Sequence, residues 1–188
     1  MLTYRLTDTA EMRALEPWRA EEFAAYIERH RADLAPWLPW ASSLTDVDSA
    51  RRWLQRYADE QARGAGRIFG IWLDEELVGG TLFRNFDTVS SVAEIGVWLA
   101  SQAQRRGLVT RAAERMIDWA VVERGIRRIE WRCVPDNAPS IAVAKRLGMT
   151  LEGVLRESFP YQGRHHDVQV WSLLAREWRT REEGPRLS

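Results

Sequence analysis

Apolar positions along this chain recur with two different periods, which alternate from one segment to the next. Helical spacing predicts a first helix over residues 18–33, a second over residues 47–63, and a strongly amphipathic third of about 15 residues that runs to Gly125. A short helix over residues 140–147 follows Pro139. Strand-like runs cover residues 10–15, 68–73, 77–83, 92–99, 128–134, 149–159 and 167–174. This interleaving predicts an α/β domain with a mixed sheet.

Capping and turn residues mark where several of these elements begin and end. Thr45 and Asp46 are residue types that cap helices, and they stand directly ahead of the second helix. The acidic turn of Asp74, Glu75 and Glu76 separates two β-rich runs and predicts a hairpin.

Two segments are predicted as loops, and both ends of the chain as loosely held. Residues 35–40 are rich in aromatic side chains and contain two prolines, so they cannot continue the first helix. Residues 160–166 are expected to join the last two strands as a loop. Residues 1–7 and 181–188 are expected to be the loose ends.

The composition disfavours several classes of protein. The 27 basic and 27 acidic residues give no net charge, which disfavours nucleic acid and anionic membranes as partners. The first ten residues lack the apolar core of a secretory signal, and no apolar run is long enough for a membrane span. The single cysteine, Cys133, permits no internal disulfide. We therefore expect a cytoplasmic protein of one domain.

The junction between the strand of residues 92–99 and the following helix is the strongest local signal for chemistry. A turn that presents backbone N–H groups at a helix N-terminus can bind an anion, and a phosphate group is the expected ligand. Arg105 and Arg106 add positive charge there, and Gly107 permits close approach of the backbone. A plain strand-to-helix turn with solvated arginines remains the alternative. Neither the dinucleotide-binding glycine motif nor the phosphate loop with its lysine is found here.

Several motifs in a fixed order carry a resemblance to a known family. The chain resembles the GNAT acyl-CoA N-acyltransferases, and more narrowly the RimJ/RimL-type branch that acetylates protein N-termini, from about residue 9 to 179. The resemblance rests on Gln104-x-x-Gly107 after the strand of residues 93–99, on Asn137-Ala-Pro-Ser140, Leu147-Gly-Met149 and Leu151-Glu-Gly153, and on the segments Leu34-Ala-Pro-Trp-Leu-Pro-Trp40 and His165-His-Asp167.

This resemblance implies a fold and a co-substrate. The fold would be one GNAT domain over residues 1–188, with a mixed, mostly antiparallel central sheet whose splayed strands are flanked by helices. The co-substrate would be acetyl-CoA, without a metal. Its pantetheine arm would pair with the backbone of Val97, Trp98 and Leu99 and contact Asn137; Asn137 as a plain turn cap is the alternative. Its pyrophosphate would be held by the turn of Gln104, Arg105, Arg106, Gly107, Leu108, Val109 and Thr110, in which Val109 replaces the usual small residue.

The resemblance also implies catalytic roles. Glu94 matches the position from which many relatives draw a general base, and Ser140 matches a serine that RimL-like enzymes place near the sulfur, where it would protonate the leaving thiolate. Many relatives use a tyrosine for that acid, and this chain has Ala144 at its position. An outward-facing glutamate and a serine that only starts a helix are the structural alternatives. Glu157 is a second carboxylate candidate.

The acceptor amine is expected to meet aromatic and histidine side chains. The resemblance suggests that Trp37 and Trp40, with the first two helices, form the acceptor wall. His165 and His166 are candidates for contact with the acceptor, against the alternative of an internally bonded turn; a multi-histidine metal site is poorly supported. Cys133 alternates to the inner side of its strand, which predicts a buried, inert thiol and favours direct attack of the amine on the thioester.

Three functions remain open at the level of the sequence. The preferred one is acetyl transfer to a primary amine, either a protein N-terminal α-amine or a small molecule. A protein that binds CoA without catalysis, as a sensor, is the second, because the usual tyrosine is missing at Ala144. A nucleotide-binding enzyme is the weakest. Relatives suggest a homodimer, and the 10 tryptophans are compatible with an interface.

Overall fold

Strands and helices alternate along residues 3–183, the part of the chain that this computed structural model describes. The strands are β1 Thr3–Arg5, β2 Ala10–Ala14, β3 Ile68–Leu73, β4 Glu76–Asp87, β5 Val92–Leu99, β6 Arg128–Cys133, β7 Thr150–Tyr161 and β8 Arg164–Leu174. The α-helices are α1 Ala20–Leu34, α2 Pro39–Ser43, α3 Val47–Ala62, α4 Leu108–Asp118, α5 Ala138–Arg146 and α6 Ala175–Glu183. Within this part of the chain, no helix combines the length and the apolar character of a membrane span.

The strands form one open sheet in the order β1-β2-β3-β4-β5-β6-β8-β7. The pairs β1–β2, β2–β3, β3–β4, β6–β8 and β7–β8 are antiparallel, whereas β5 and β6 run parallel. A long crossover through α4 separates β5 from β6, as a parallel pair requires. The predicted α/β class with a mixed, mostly antiparallel sheet is confirmed.

The elements with strong local signals lie where the sequence predicts them. Asp46 caps α3 by accepting a hydrogen bond from the backbone N–H of Ser49 at 2.7 Å, and Ser49 in turn accepts one from the backbone N–H of Asp46. The turn between β3 and β4 places Asp74 and Glu75 at φ 49° and 64°, which matches the twist of a tight hairpin.

Two expectations for the ends and for the last loop are wrong. Residues 3–5 form β1, because this segment pairs with β2 and the ring of Tyr4 packs edge-on against Phe69 at 6.2 Å. Arg181 continues α6; residues 1–2 and 184–188 lie outside the described residues. The predicted loop over residues 160–166 shrinks to Gln162 and Gly163, both with positive φ, and β7 and β8 run up to this two-residue turn.

The proline-rich segment of residues 35–40 is a loop only as far as Leu38. A turn follows α1, and α2 then begins at Pro39, whose fixed φ suits a first helical position and whose missing N–H is not needed there. The prediction that the first helix cannot continue through this segment is confirmed.

The chain folds into two compact units, the first of which comprises residues 3–83 and 96–113. Its core lies among α1, α3, β3 and β4, with the side chains of Phe23, Ile27, Leu54 and Trp72 almost completely buried. An aromatic cluster, defined here as Phe23, Trp40, Trp53 and Trp98, continues this core, with ring centroids 5.2 to 6.4 Å apart.

The second unit comprises residues 84–95 and 114–183. Its core includes Ile129 and Trp131 of β6 and Leu173 of β8. A π-helical segment, Trp119–Glu123, follows α4, and the N–H of Arg124 reaches the carbonyl of Trp119 at 3.2 Å. Helical periodicity cannot distinguish this wider turn from an α-helix, so the sequence predicts one continuous helix there.

The last strand in the sheet order, β7, is unusually exposed. Most of its side chains face solvent, including the apolar side chains of Leu151, Val154 and Leu155. Its register with β8 shifts at two places, between Leu151 and Gly153 and between Leu155 and Phe159. The second shift is a bulge in which Glu157 has a φ of 51°.

Gly79 and Gly80 of β4 lack side chains where Trp98 packs against the strand. A Cβ atom on Gly80 would lie 2.2 Å from a ring carbon of Trp98, and one on Gly79 would lie 2.4 Å from the Trp98 carbonyl oxygen. We expect Gly80→Ala to lower the free energy of unfolding by about 1–3 kcal/mol through overpacking, as measured by urea denaturation.

The matched control is Gly153→Ala in β7, where an added Cβ would meet no atom within 4 Å. Its free energy of unfolding should stay near the wild-type value. Equal stability of the two variants would contradict the close packing of Trp98 against β4.

Candidate active site

Strand β5 carries the first group of predicted site residues. Because side chains alternate along a strand, Glu94 and Trp98 share one face, and Val97 and Leu99 point to the other. The parallel register with β6 joins Val92–Glu94 to Arg128–Glu130, and Val97–Leu99 lie beyond it. The backbone of this second half of β5 is therefore the part of the strand that is suited to pair with an extended ligand.

The side chain of Trp98 belongs to the aromatic cluster and not to an open surface. It is 4% exposed, and its indole N–H is buried without a hydrogen-bond partner among the described residues. An extended ligand along β5 could therefore contact Trp98 only through its backbone.

The predicted phosphate turn lies between two buried anchors. The backbone N–H of Ala100 donates to the carbonyl of Val78 at 2.8 Å, and the side chains of Ala103 and Leu108 are buried on either side of the turn. Residues 104–107 between them are exposed, and Arg105 and Gly107 have φ values of 63° and 72°. Left-handed residues of this kind are typical of turns whose successive N–H groups bind anions, and this turn stands directly ahead of α4.

Two side-chain contacts tie α1 to the segment that leads into this turn. The hydroxyl of Ser101 donates to the carboxylate of Asp33 at 2.6 Å, and the side-chain amide of Gln102 lies 3.4 Å from Nε2 of His30. His30 is buried, and this burial lowers the pKa of its imidazole. Sequence reasoning missed these contacts, because about 70 residues separate the partners and neither belongs to a motif.

Glu94 is a largely buried carboxylate that two arginines face. Its carboxylate oxygens lie 3.3 Å from Nε of Arg84 and 3.7 Å from Nε of Arg132. Burial raises the pKa of Glu94, the two arginines lower it, and the neighbouring carboxylate of Glu130 raises it again; the net direction is upward. A raised pKa brings a carboxylate closer to the range in which a general base works near neutral pH.

Asn137 and Ser140 meet at the start of α5. The side-chain oxygen of Asn137 accepts a hydrogen bond from the backbone N–H of Ser140 at 3.1 Å and so caps the helix. The hydroxyl oxygen of Ser140 accepts a hydrogen bond from the indole N–H of Trp131 at 2.9 Å. Asn137 is therefore the helix cap that the sequence left open as its alternative, while the hydroxyl of Ser140 keeps one proton to donate and has the Cys133 thiol within reach.

Cys133 is a buried thiol beside Ser140, as the strand alternation predicts. Burial raises the pKa of its thiol, and hydrogen bonds from Ser140 and Trp171 oppose this effect without reversing it. A buried thiol with a raised pKa is a poor nucleophile, because the thiolate is the reactive form.

The side chains predicted to contact the acceptor lie in different surroundings. Trp40 is half-buried in the aromatic cluster, whereas Trp37 is 40% exposed. Nδ1 of His165 lies 3.3 Å from the carbonyl oxygen of Glu157, and the carboxylate of Asp167 accepts a hydrogen bond from the Glu157 N–H at 2.8 Å.

His166 lies beside this network, with its ring 6.2 Å from that of Phe159. The His165-His166-Asp167 segment therefore supports the bulge of β7, which is the internally bonded turn that the sequence left open. Across residues 3–183, no three histidine, cysteine, aspartate or glutamate side chains come together as a metal site.

Comparison with known proteins identifies relatives along most of the chain. A family model described as the acetyltransferase (GNAT) domain matches residues 13–150. The putative ribosomal N-acetyltransferase YdaF of Bacillus subtilis (strain 168) is 33% identical over 183 residues, which cover 95% of this chain and 98% of that protein. The ribosomal-protein-serine acetyltransferase of Escherichia coli (strain K12) is 25% identical over 172 residues, which cover 92% and 96%.

Solved structures give the same result. RimL, described as a ribosomal L7/L12 alpha-N-protein acetyltransferase in complex with coenzyme A, superposes with a TM-score of 0.87 at 25% identity, over 92% of this chain and 98% of that one. The ribosomal-protein-S5-alanine acetyltransferase from Vibrio fischeri shares the fold with a TM-score of 0.86 at 21% identity, over 95% and 99%.

The hydrogen bond from Trp131 to Ser140 predicts a cost for removing the hydroxyl. Trp131 is 2% exposed, so Ser140→Ala leaves a buried indole N–H without an acceptor. We expect this variant to lose about 1–3 kcal/mol of unfolding free energy, as measured by chemical denaturation.

Two further variants make this test specific. Ser140→Thr keeps a hydroxyl and should retain most of the stability. Ser43→Ala removes an exposed hydroxyl that donates to the Trp40 carbonyl, and it should have little effect. A Ser140→Ala protein as stable as Ser43→Ala would show that the indole finds another acceptor.

Proposed function

The chain belongs to the GNAT acetyltransferase family and is an N-acetyltransferase that uses acetyl-CoA, and we propose that its acceptor is the α-amino group of a protein N-terminus. One observation carries this proposal: YdaF, whose name is putative ribosomal N-acetyltransferase, matches 95% of this chain at 33% identity. The named activities of the Escherichia coli relative and of RimL, both on ribosomal proteins, support the same acceptor class.

We assign acetyl-CoA to the turn and to the second half of β5. The backbone N–H groups of residues 105–107 would hold the pyrophosphate, with added charge from Arg105 and Arg106, while the N–H of Gln104 already donates to the carbonyl of Ser101 at 3.2 Å. The backbone of Val97–Leu99 would pair with the pantetheine arm. The left-handed backbone at Arg105 and Gly107 and the burial of Ala103 and Leu108 on either side fit this role, because they fix an exposed row of donors in place.

The reaction needs a deprotonated amine. An α-amino group has a pKa of about 7.7–8.0, so much of the acceptor is protonated at neutral pH. Glu94 would accept this proton, directly or through a water molecule, since burial raises its pKa and part of its side chain still reaches solvent. Acetyl-CoA supplies an activated acetyl thioester when bound.

Ser140 would supply the proton for the departing thiolate. The indole N–H of Trp131 fixes its hydroxyl oxygen, and its O–H, which also has the Cys133 thiol within reach, would turn to the departing thiolate. The raised pKa of Cys133 supports direct attack by the amine over an acyl-cysteine route. Trp37, Trp40, His165 and His166 remain predicted acceptor contacts.

Two other expectations are part of the same proposal. A cytoplasmic location suits an enzyme that acts on ribosomal proteins, and a homodimer is expected from the family. Light scattering tests the second, because a mass near 21.8 kDa would exclude the dimer.

Measurements of acetyl-CoA binding and of turnover distinguish the proposed function from two alternatives, a small-molecule acceptor and a CoA sensor. Calorimetric titration with acetyl-CoA, with ATP and NADH as controls, establishes binding first. Turnover with peptides but not with small amines supports the proposal, turnover with small amines alone supports the second acceptor class, and binding without any turnover supports a sensor.

A pair of glycine variants tests the phosphate turn. Gly107 and Gly125 have nearly equal positive φ values, 72° and 69°, and an added Cβ meets no close neighbour at either site. Alanine at either position should cost about 1–2 kcal/mol of stability through backbone strain.

Only Gly107→Ala should also weaken acetyl-CoA binding, by about tenfold, or about 1.4 kcal/mol, because it disturbs the turn that carries the donors. Calorimetry on both variants checks this. Equal affinities would argue against the turn as the phosphate site.

A second pair of variants tests the base. Glu94→Gln should lower kcat by about 10²–10⁴ while acetyl-CoA affinity stays near the wild-type value. Glu157→Gln, which changes the other carboxylate candidate, should leave kcat almost unchanged. A fall in kcat for Glu157→Gln alone would move the base to the hairpin of β7 and β8.

A further inference from the structure

The carboxylates of Glu94 and Glu130 lie directly opposite each other on parallel strands. Glu94 of β5 pairs in register with Glu130 of β6, and each side chain is only 14% exposed. Like charges at such positions repel each other, and burial adds the cost of removing them from water. The fold tolerates the pair only because cations lie close to both.

Arg132 is the cation that the two carboxylates share. Its Nε lies 3.7 Å from Glu94, and its Nη2 donates to Glu130 at 2.9 Å. It stands two residues after Glu130 on β6, so its side chain is on the same face of the sheet. The guanidinium group has several donors in one plane, which allows it to face two carboxylates at once.

The outer partners of the pair differ in how closely they bind. Glu130 accepts a second short hydrogen bond, from Nε of Arg128 at 2.8 Å, and Arg128 also holds Glu152 with distances of 2.8 and 2.5 Å. The closest contact of Glu94 to its other partner, Arg84, is 3.3 Å. Glu130 is therefore firmly held, whereas Glu94 is more loosely held.

This asymmetry separates the roles of the two carboxylates. Burial raises the pKa of Glu130, but hydrogen bonds from Arg128 and Arg132 outweigh it, and the net direction is downward. The pKa of Glu94 moves the other way. Glu130 thus acts as a fixed negative charge beside a carboxylate that remains able to take up a proton.

We propose that Arg132 is a positioning residue for acetyl transfer, which bridges Glu94 and Glu130 and so keeps Glu94 ionised and ready to accept the proton of the acceptor amine. The proposal rests on the proposed function, in which Glu94 is the base. It adds two residues, Arg132 and Glu130, that act on the reaction through Glu94 without touching the substrate.

The charged groups that face Glu94 determine the direction of each effect. They are Arg84 on β4 and Glu130 and Arg132 on β6. Removing the cation of Arg132 also leaves Glu130 less neutralised, and both changes favour protonated Glu94. Removing the charge of Glu130 instead frees Arg132 for Glu94 and favours the ionised form.

The first measurement follows Glu94 directly and does not depend on turnover. The side-chain carboxyl carbons are titrated by ¹³C NMR, and the Glu94 signal is assigned by its loss in Glu94→Gln. We expect the midpoint to rise by about one pH unit in Arg132→Gln and to fall in Glu130→Gln. Arg132→Lys keeps the charge and should restore most of the wild-type midpoint.

The second measurement is the pH dependence of kcat with a peptide acceptor and saturating acetyl-CoA. Because a base works only when deprotonated, the acidic limb should move to higher pH in Arg132→Gln and to lower pH in Glu130→Gln. Arg51→Gln, which breaks the exposed ion pair with Asp48 on α3, is the control and should leave the limb in place.

The outcomes separate this proposal from the one it rests on. Opposite shifts in the two variants, seen by both methods, support it, since general loss of structure would not change sign. A Glu94 midpoint that stays fixed in both variants overturns the role of Arg132 alone. If the Glu94 titration midpoint moves but the pH profile of kcat stays in place, the assignment of Glu94 as base is overturned.

Discussion

The contact between Trp98 and the two glycines of β4 is the constraint on which the first unit depends. The indole occupies the space that a side chain at Gly80 would fill, the carbonyl oxygen of Trp98 blocks one at Gly79, and the indole also packs edge-on against Trp40 in the aromatic cluster. Two residues later, the N–H of Ala100 is bonded to Val78, next to the first of these glycines. The position of the exposed turn of residues 104–107 therefore follows from core packing, and the turn itself needs only a backbone that can adopt positive φ.

The second unit differs from the first in that it buries charged side chains. Glu94, Glu130 and Glu152 alternate with arginines across neighbouring strands, so that each carboxylate faces at least one guanidinium group. Such a chain contributes little net stability compared with apolar packing, because desolvation offsets most of the attraction. Its contacts differ in strength, so that Glu94 is held more loosely than Glu130, which is the property that the proposed role of Glu94 as base requires.

The sequence predicts those parts of the fold and of the site whose signals are local. Asp46 ahead of an amphipathic run, and a tight acidic turn between β-rich runs, define α3 and the β3–β4 hairpin almost to the residue. The turn after β5 is predictable for the same reason, since Gln104-x-x-Gly107 stands at a strand-to-helix junction. A family resemblance then supplies roles that composition alone does not, such as that proposed for Glu94.

The parts that sequence reasoning misses depend on individual pairings that no periodic pattern announces, whether the partners are near each other in the chain or far apart. β1 forms because it pairs with β2, and its three residues alone give no strand signal. Pro160 predicts a loop from the sequence, although an exposed outer strand such as β7 tolerates proline. The bonds of Ser101 to Asp33 and of Trp131 to Ser140 likewise leave no pattern in the sequence.

The bulge at Glu157 has a consequence for the behaviour of the protein at high concentration. A long outer strand with exposed Leu151, Val154 and Leu155 offers an edge to which strands of other molecules could add, the usual start of ordered aggregation. The bulge interrupts the row of backbone donors and acceptors beyond Leu155 and twists the strand, so an added strand finds a matching edge over only a few residues. We therefore expect the contacts of His165 and Asp167 with Glu157, which hold this bulge, to limit edge-to-edge pairing between molecules.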